Sequence, residues 1–430
     1  MPDAGTRPPE LARTVGLPAA VGFGLGAMVG TGVFVYTGVA TGLAGPAVLV
    51  SLALAGLAAT CNGLSSAELA AVHPRSGGTY EYAGRRLSPW AGFLAGWLFL
   101  AAKTTSAAAT ALGFGAYVAK LAPIPPLAVS ALLVAGTTLL GLRPLRRAGA
   151  VNLALVAVTV ASLVAFIVAE ARQVSLDRFT PFAPRGAGGI LSAASLLFVA
   201  YAGYGRIATL GEEIDDPKRN IPRALVAALA LTALLYLSVT ATAVGAIGAE
   251  AFAAAAHGGA PLEAAAGTPA VKTALSVGAA TAMGAVFLNL VLGISRMAFA
   301  MARGGDLPSP LARVRAEAGP AAAVLFTGLA VGILVALGSI VGLVSVSAFT
   351  ILVYYGLTNL SALRLRRDER LVHPLVPFAG LLFCLTLAAS VPLRSLAVGA
   401  SILGAGVLWR LGLKAIRGAD PSHSRRKEAS

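Results

Sequence analysis

Apolar runs of 18 or more residues recur along this chain from Val15 to Leu413. Each run is long enough to cross the hydrocarbon core of a bilayer, which is about 30 Å thick. Only 12% of the residues are charged, whereas soluble domains carry about 25%. The runs therefore exclude a soluble fold and predict an all-α membrane protein.

Twelve such runs can be counted, and proline and basic residues mark the turns between them. Spans 9 and 10 are separated only by residues 338–340, and spans 11 and 12 only by residues 391–392. The first run is too long for a cleavable signal peptide and lacks a small-residue cleavage site, so it is predicted to remain as span 1. The predicted spans cover residues 15–40, 46–71, 90–119, 122–141, 149–169, 189–211, 222–248, 270–302, 320–338, 341–363, 374–391 and 393–413.

The net charge of +15 follows the membrane topology and does not indicate a nucleic-acid partner. With the N-terminus inside, all but eight of the 33 Lys and Arg residues lie in cytoplasmic tails, loops or span ends. Lys103 and Arg206 lie within spans, and the outer side holds Lys120, Arg172, Arg178, Arg185, Lys272 and Arg394. This is the positive-inside rule, so both termini are predicted to be cytoplasmic in the cell (plasma or inner) membrane.

Residues that carry metal or covalent chemistry are scattered along the chain. Cys61 and Cys384 lie inside spans, where cysteine usually packs as a small apolar residue. The four histidines lack the spacing of metal ligands, and the acidic residues lie almost entirely in loops and tails. No cofactor and no enzymatic activity are therefore predicted.

Span 1 carries three glycines in its middle, in the segment Gly-Ala-Met-Val-Gly-Thr-Gly-Val-Phe at residues 26–34. Each interior glycine costs a helix roughly 0.5–1 kcal/mol relative to alanine. Backbone groups freed by a broken helix cost several kcal/mol each in hydrocarbon unless something binds them. Unwinding at this depth is therefore expected where the freed groups line a cavity and hold a ligand, as in a transporter.

Span 6 repeats this anomaly, because residues 198–206 include two glycines and a charge. Spans 1 and 6 begin two five-span halves, and the odd number of spans gives the halves opposite orientations. Paired glycine-interrupted spans indicate an inverted-repeat transporter with its site at the membrane midplane; the alternative is that the glycines only allow close helix packing. The predicted parts are a tail at 1–14, repeats at 15–169 and 189–363, helices 11 and 12 at 374–413, and a tail at 414–430.

The two breaks would expose N–H donors at one half-helix end and carbonyl acceptors at the other. Half-helix N-termini bind anions such as a carboxylate, and free carbonyls accept from an ammonium, so an α-amino acid satisfies both sets. We assign the carboxylate to the N–H groups of residues 30–32, with the Thr31 hydroxyl as a further donor, and the amine to carbonyls near Met28 and at 199–202. The predicted substrate-binding residues are Met28, Val29, Gly30, Thr31, Gly32, Phe198, Val199, Tyr201, Ala202 and Gly203.

Several motifs, in their order and spacing, resemble the amino acid–polyamine–organocation superfamily of permeases over nearly the whole chain. The motifs are residues 26–34, 74–80 after span 2, 211–222 after span 6, 295–298 with 302–308 at the end of span 8, and 358–361 at the end of span 10. The resemblance implies twelve transmembrane helices in a five-plus-five inverted repeat (LeuT-like) with broken helices 1 and 6 and two peripheral helices. It also implies alternating access and an amino acid or related amine as substrate.

Proton-coupled relatives often carry a lysine near the middle of span 5, whereas Thr159 is the nearest polar residue there in this chain. Lys103 instead lies about 13 residues into span 3, roughly 20 Å deep at a helix rise of 1.5 Å. A lysine at the bilayer centre costs at least about 2.5–3.5 kcal/mol and usually faces a cavity or a partner. We expect Lys103 to be the proton-coupling group; the alternative is a structural lysine that pairs with a carboxylate or caps carbonyls.

Arg206 and Tyr204 are candidate gate residues at the cytoplasmic end of span 6, and Arg206 is expected to pair with Glu68, Glu212 or Glu213. The alternative for Arg206 is contact with an anionic substrate side chain. Relatives that exchange arginine or polyamines carry an acidic group where this chain has Gly205, which weighs against a strongly cationic substrate. Phe198, Tyr201 and Tyr204 are candidate aromatic lids, with helix packing or interfacial anchoring as the alternative.

The sequence thus predicts a secondary active amino acid transporter, with proton symport first and exchange of amino acids or polyamines second. Sodium is the weaker coupling ion, with Ser295 and Thr159 as candidate oxygen ligands and ordinary packing as the alternative. A membrane receptor that binds amino acids without moving them would share the site, but the soluble segments at 249–269 and 414–430 are too short for a signalling domain. The expected partners are the lipid bilayer and the small-molecule substrate, and the expected oligomeric state is a monomer or weak homodimer.

Overall fold

The computed structural model describes residues 16–73, 77–142, 149–205, 207, 214–314 and 320–418. Over these ranges the chain forms helices and turns, with no β-strand. Six helical segments are long and apolar enough to cross a membrane by length and composition. The predicted all-α multi-pass membrane protein is therefore confirmed at this level.

Helices occur in each of the twelve predicted spans. The first half of the chain forms α1 (Leu17–Met28), α2 (Thr37–Ala44), α3 (Val48–Val72), α4 (Thr79–Arg86), α5 (Pro89–Val118), α6 (Pro126–Gly141), α7 (Gly149–Glu170) and α8 (Gly186–Tyr201). The second half forms α9 (Pro217–Ile247), α10 (Ala249–Ala256), α11 (Pro261–Ala265), α12 (Pro269–Arg303), α13 (Ala321–Leu337), α14 (Ile340–Leu363), α15 (Leu375–Ala389) and α16 (Leu393–Gly418). Three short helices, α4, α10 and α11, lie between the predicted spans.

Local sequence explains where several long helices begin. The hydroxyls of Ser88, Thr268 and Ser339 accept hydrogen bonds from the first-turn N–H groups of α5, α12 and α14. Such N-caps satisfy donors that have no partner inside the helix. Proline occupies the first turn of α5 and α12, where its missing N–H costs nothing.

Helices α5 and α14 form the centre of the bundle, and α16 lies at its edge. Helix α5 packs against α4, α6, α12 and α14. In the most apolar window of α14 67% of the residues are buried, compared with 11% in that of α16. Residues on α5 and α14 are therefore placed to face one another and the interrupted helices, whereas α16 turns most of its surface outward.

Candidate functional site

The first apolar segment is interrupted within its glycine cluster. Helix α1 ends at Met28, and Val29 has extended backbone angles (φ −74°, ψ 99°). The chain resumes as a π-helix over Gly32–Tyr36 and then continues into α2. The resumed helix begins with the bond from the Phe34 N–H to the Gly30 carbonyl at 3.3 Å, so the N–H groups of Gly30, Thr31 and Gly32 precede the first N–H that has a partner inside that helix. This break therefore presents a short run of backbone donors.

The second interruption follows α8. The chain turns over residues 202–204, where the Ala202 N–H donates to the Val199 carbonyl at 3.2 Å and the Tyr204 N–H donates to the Tyr201 carbonyl at 3.3 Å. The Val199 carbonyl, to which the sequence analysis assigned the substrate amine, thus already has a backbone donor.

The two breaks lie directly against each other. A Cβ atom added to Gly203 would lie 2.1 Å from the Ala27 carbonyl oxygen, and one added to Gly32 would lie 2.6 Å from the Ala200 Cβ. Only glycine permits this approach of backbone to backbone. The structure therefore brings together two segments that are about 170 residues apart, a separation at which loop closure alone is unfavourable.

Tyr236 of α9 bridges the backbones of both breaks. Its hydroxyl donates to the Met28 carbonyl at 2.7 Å and lies 3.3 Å from the Ala200 carbonyl oxygen. The side chain is fully buried and packs on Tyr201, with ring centroids 5.2 Å apart. The Met28 carbonyl is therefore occupied on one side by the protein itself, although a carbonyl oxygen has a second lone pair.

Lys103 of α5 reaches the second break. Its Nζ donates to the Ala202 carbonyl at 3.4 Å and lies 6.0 Å from the centroid of the Phe99 ring. The side chain is half-buried, and none of the ion pairs found in the described parts of the chain includes it. Of the two structural roles left open by the sequence, the contact matches carbonyl capping.

The Thr31 hydroxyl has a partner in the protein. It donates to the Thr110 hydroxyl at 2.8 Å, and Thr110 in turn donates to the Ser106 carbonyl at 2.9 Å. The Thr31 hydroxyl, which was predicted to be a further donor to a carboxylate, therefore donates to α5 in this conformation. The donors that begin the resumed helix at the first break are the backbone N–H groups.

The three candidate aromatic lids are fully buried. Phe198 and Tyr204 both pack on Tyr355 of α14, with ring centroids 5.6 and 5.4 Å apart. The Tyr201 hydroxyl donates to the Leu52 carbonyl at 3.3 Å. In this conformation the three side chains make packing contacts, and the roles of lid and of gate for Tyr204 stay predictions.

Glu68 is fully buried, and it binds the chain beyond α14. Its Oε2 accepts from the N–H groups of Leu371 and Val372 at 3.1 and 3.3 Å. Arg206, the expected partner of Glu68, lies outside the described residues, as do Glu212 and Glu213, the other expected partners of Arg206. In the described part of the chain, Glu68 therefore anchors the segment between α14 and α15.

The two sodium-site candidates do not share a site. Thr159 donates to the Leu155 carbonyl at 2.8 Å and lies 3.4 Å from the Gly278 carbonyl oxygen, whereas Ser295 donates to the Leu292 carbonyl at 3.1 Å. Gly278 and Ser295 are 17 residues apart on α12, which corresponds to about 25 Å along a helix. Each hydroxyl bonds its own or a neighbouring helix, as ordinary packing residues do.

A polar latch, formed by Arg86, His73 and Glu369, lies on the predicted cytoplasmic side, next to the start of α5. Arg86 of α4 donates from Nη2 to Glu369 Oε1 at 2.8 Å and from Nε to His73 Nε2 at 2.9 Å. Hydrogen bonding by Arg86 lowers the pKa of Glu369 to about 2. Burial, followed by the charge of Arg86, lowers the pKa of His73. The latch therefore favours a charged carboxylate and a neutral imidazole.

Sequence reasoning missed Tyr236, Thr110 and the latch. Tyr236 stands alone among leucines in Leu-Leu-Tyr-Leu, and a lone hydroxyl in an apolar span usually finds a partner when buried. That signal indicates a hydrogen bond but does not name its acceptor. Arg86 and Glu369 are far apart in the chain, so nothing in their spacing predicts the pair.

Comparison with known proteins assigns the chain to a family. Residues 20–400 match the family described as amino acid permease. An uncharacterized transporter of Mycobacterium tuberculosis is 42% identical over 93% of this chain and 91% of its own length. The branched-chain amino acid permease BcaP of Bacillus subtilis is 28% identical over 85% of each chain, and the methylthioribose transporter of that organism is 31% identical over 72% of each. The chain belongs to the amino acid permease family.

Proposed function

We propose that this protein is a secondary active transporter that moves amino acids across the plasma membrane by alternating access. Its twelve spans would form two inverted five-helix repeats, at 15–169 and 189–363, with helices 11 and 12 outside them. The distribution of Lys and Arg supports cytoplasmic termini. The family match and the relative named as a branched-chain amino acid permease support the amino acid substrate.

One observation carries this proposal: two helix breaks meet backbone to backbone, and at one of them the N–H groups of residues 30–32 begin a helix, where the first donors have no partner inside that helix. A carboxylate is the anion that such a run of N–H donors fits. We assign the substrate carboxylate to Gly30, Thr31 and Gly32. The α-ammonium would use the remaining lone pair of the Met28 carbonyl, beside Tyr236.

Proton coupling is assigned to Lys103. As an ammonium it donates to the Ala202 carbonyl and holds the span 6 break against α5. Loss of its proton removes the charge from this contact, so the break and α5 would separate more readily. Protonation would in this way bias the two access states, as any ligand with different affinities for two conformations does.

Counterflow in proteoliposomes tests transport itself. Vesicles containing the purified protein are loaded with an unlabelled amino acid and diluted into a trace of the labelled one. A transporter accelerates the entry of label, whereas a receptor binds it without entry, and protein-free vesicles give the background. The panel should include leucine, as an amino acid, and methylthioribose, which has no carboxylate for the N–H groups.

Symport and exchange are separated in the same vesicles. Uptake into empty vesicles that is driven by an inward proton gradient, with acidification of the lumen, supports symport. Label entry that requires internal substrate and does not respond to the gradient supports exchange. If no amino acid in the panel shows counterflow, the proposal is wrong.

A further inference from the structure

The N–H donors and the carbonyl acceptors at the two breaks differ in whether the protein already supplies a hydrogen-bond partner. Among the described residues, several carbonyls near the breaks lie beside a protein donor: the Tyr236 hydroxyl donates to Met28 and lies 3.3 Å from the Ala200 oxygen, backbone N–H groups donate to Val199 and Tyr201, and Lys103 donates to Ala202. The N–H groups of Gly30, Thr31 and Gly32 lie at the start of the resumed helix, before the first N–H that has a partner inside it. The first break therefore offers N–H donors to a ligand, whereas the carbonyls of residues 199–202 at the second break already lie beside protein donors.

Lys103 adds a positive charge at the second break. Its Nζ takes the Ala202 carbonyl, an acceptor that a cationic ligand would need. None of the ion pairs in the described ranges supplies Lys103 with a carboxylate. The nearest aromatic face, that of Phe99, is 6.0 Å from Nζ and gives only weak compensation.

We infer that Lys103 is a charge filter: the site accepts carboxylate ligands with no net positive charge and rejects dibasic amino acids and polyamines. This inference rests on the proposed function, whose substrate class it narrows. A zwitterion enters because its carboxylate meets the N–H groups and balances its own ammonium. A second ammonium on the ligand meets the Lys103 charge at the second break, where the carbonyls of residues 199–202 already lie beside protein donors.

Electrostatics sets the size of the expected effect. Repulsion between the Lys103 ammonium and a ligand ammonium about 6 Å away, at an effective dielectric constant of about 20, lowers the affinity for that ligand by roughly a hundredfold. Solvent in a half-buried site screens part of this repulsion. We therefore expect at least about tenfold discrimination between ligands that differ only by one positive charge.

Ligand binding to the purified full-length protein tests the filter, measured by isothermal titration calorimetry with norleucine, lysine and Nε-acetyl-lysine. Norleucine has the lysine skeleton without the side-chain ammonium, and acetylation removes the charge while making the side chain larger. At about pH 5.5, where a lysine is charged, norleucine and Nε-acetyl-lysine should each bind at least about tenfold more tightly than lysine.

The variants Lys103→Met and Lys103→Arg assign the discrimination to the charge. In Lys103→Met the preference for norleucine over lysine should fall to about threefold or less, and in Lys103→Arg it should persist. Equal binding of lysine and norleucine by the wild type would overturn the filter. Rejection of Nε-acetyl-lysine together with lysine by the wild-type protein would also overturn it, because charge would then not explain the discrimination. An undiminished preference of Lys103→Met for norleucine over lysine would overturn it as well.

The two proposals fail in different ways. If norleucine, leucine and the other common amino acids all fail to bind the wild type, the proposed function is wrong. If amino acids bind and lysine binds as well as its neutral analogues, only the charge filter is wrong.

Discussion

At the scale of single residues, glycine and lysine have opposite effects at the two breaks. Gly203 and Gly32 remove side-chain volume, so that two stretches of backbone can touch. Lys103 brings a long side chain from α5 into the space beside them and donates to one of the freed carbonyls. Contact between the two breaks thus depends on glycines, which have no side chain, and the positive charge beside the breaks comes from Lys103.

Substitution of Gly203 tests the contact. Gly203→Ala should lower the counterflow rate by at least about tenfold, because overpacking against backbone costs typically 1–3 kcal/mol. Gly205→Ala is the matched control, since its added Cβ would meet nothing closer than the Tyr355 hydroxyl at 3.9 Å. Equal rates for both variants would show that the approach of the two backbones is not needed for transport.

Substitution of Lys103 tests proton coupling. Lys103→Met keeps most of the side-chain volume but cannot carry a proton, so we expect substrate binding and counterflow without acceleration by a proton gradient. Uptake with an inward gradient and uptake without one should then differ by less than about twofold. Proton-driven uptake equal to that of the wild type would contradict the assignment.

At the scale of elements, short segments hold the broken helices in place. Tyr117, the penultimate residue of α5, donates to the Phe34 carbonyl of the π-helix at 2.8 Å and accepts from the Leu262 N–H of α11 at 3.3 Å. On the other side, α4 is joined to the end of α14 through Thr79 and Thr358, whose hydroxyl oxygens are 2.7 Å apart. The same region carries the latch of Arg86, His73 and Glu369.

The latch predicts a pH dependence of stability. Because the folded-state pKa of Glu369 is lowered to about 2 from an ordinary value near 4.5, its contribution is complete above pH 4.5 and is lost as the pH falls toward 2. His73 acts in the same direction at higher pH: its lowered pKa means that its contribution is present above its ordinary value of about 6.5 and is lost below it.

Thermal unfolding of the solubilised protein measures this effect. The wild type should exceed Glu369→Gln in Tm by a constant amount from about pH 5 to 7, and the gap should narrow below about pH 4.5. Asp368→Asn is the control, because the Asp368 side chain is 74% exposed and lies 3.8 Å from Arg366, and exposed pairs of this kind contribute little. A gap that does not change with pH would exclude the latch.

At the scale of the whole molecule, the basic residues and the buried residues are distributed according to different features. Basic residues follow the predicted sides of the membrane, whereas burial follows the distance from α5 and α14. Asp177 and Asp368, both exposed, lie on opposite predicted sides.

Cysteine labelling in intact cells tests the orientation. In a background with Cys61 and Cys384 replaced by alanine, a membrane-impermeant maleimide should label Asp177→Cys from outside, and Asp368→Cys only after the cells are opened. The reverse pattern would contradict the positive-inside assignment.

Particular residues show how far sequence reasoning reached. The limits of α13 and α14 lie at Leu337 and Ile340, within about three residues of the predicted spans, because apolar length and the Gly-Ser turn are local properties. The packing contacts of Phe198, Tyr201 and Tyr204 could not be predicted, since a sequence does not state which way a helix faces, and their role as aromatic lids stays a prediction. The same limit applies to Glu68, whose bound N–H groups lie about 300 residues away.

The sequence by itself determined that the chain is helical, which stretches are apolar enough to cross a membrane, and where the first and sixth of them are interrupted. These features depend on apolar length and on glycine, which act within a few residues of themselves. The tertiary structure alone decided which freed groups keep a partner, because the bond from Tyr236 to Met28 spans 208 residues and that from Lys103 to Ala202 spans 99. Hydrogen bonds at such separations depend on packing angles between helices, which no local pattern encodes.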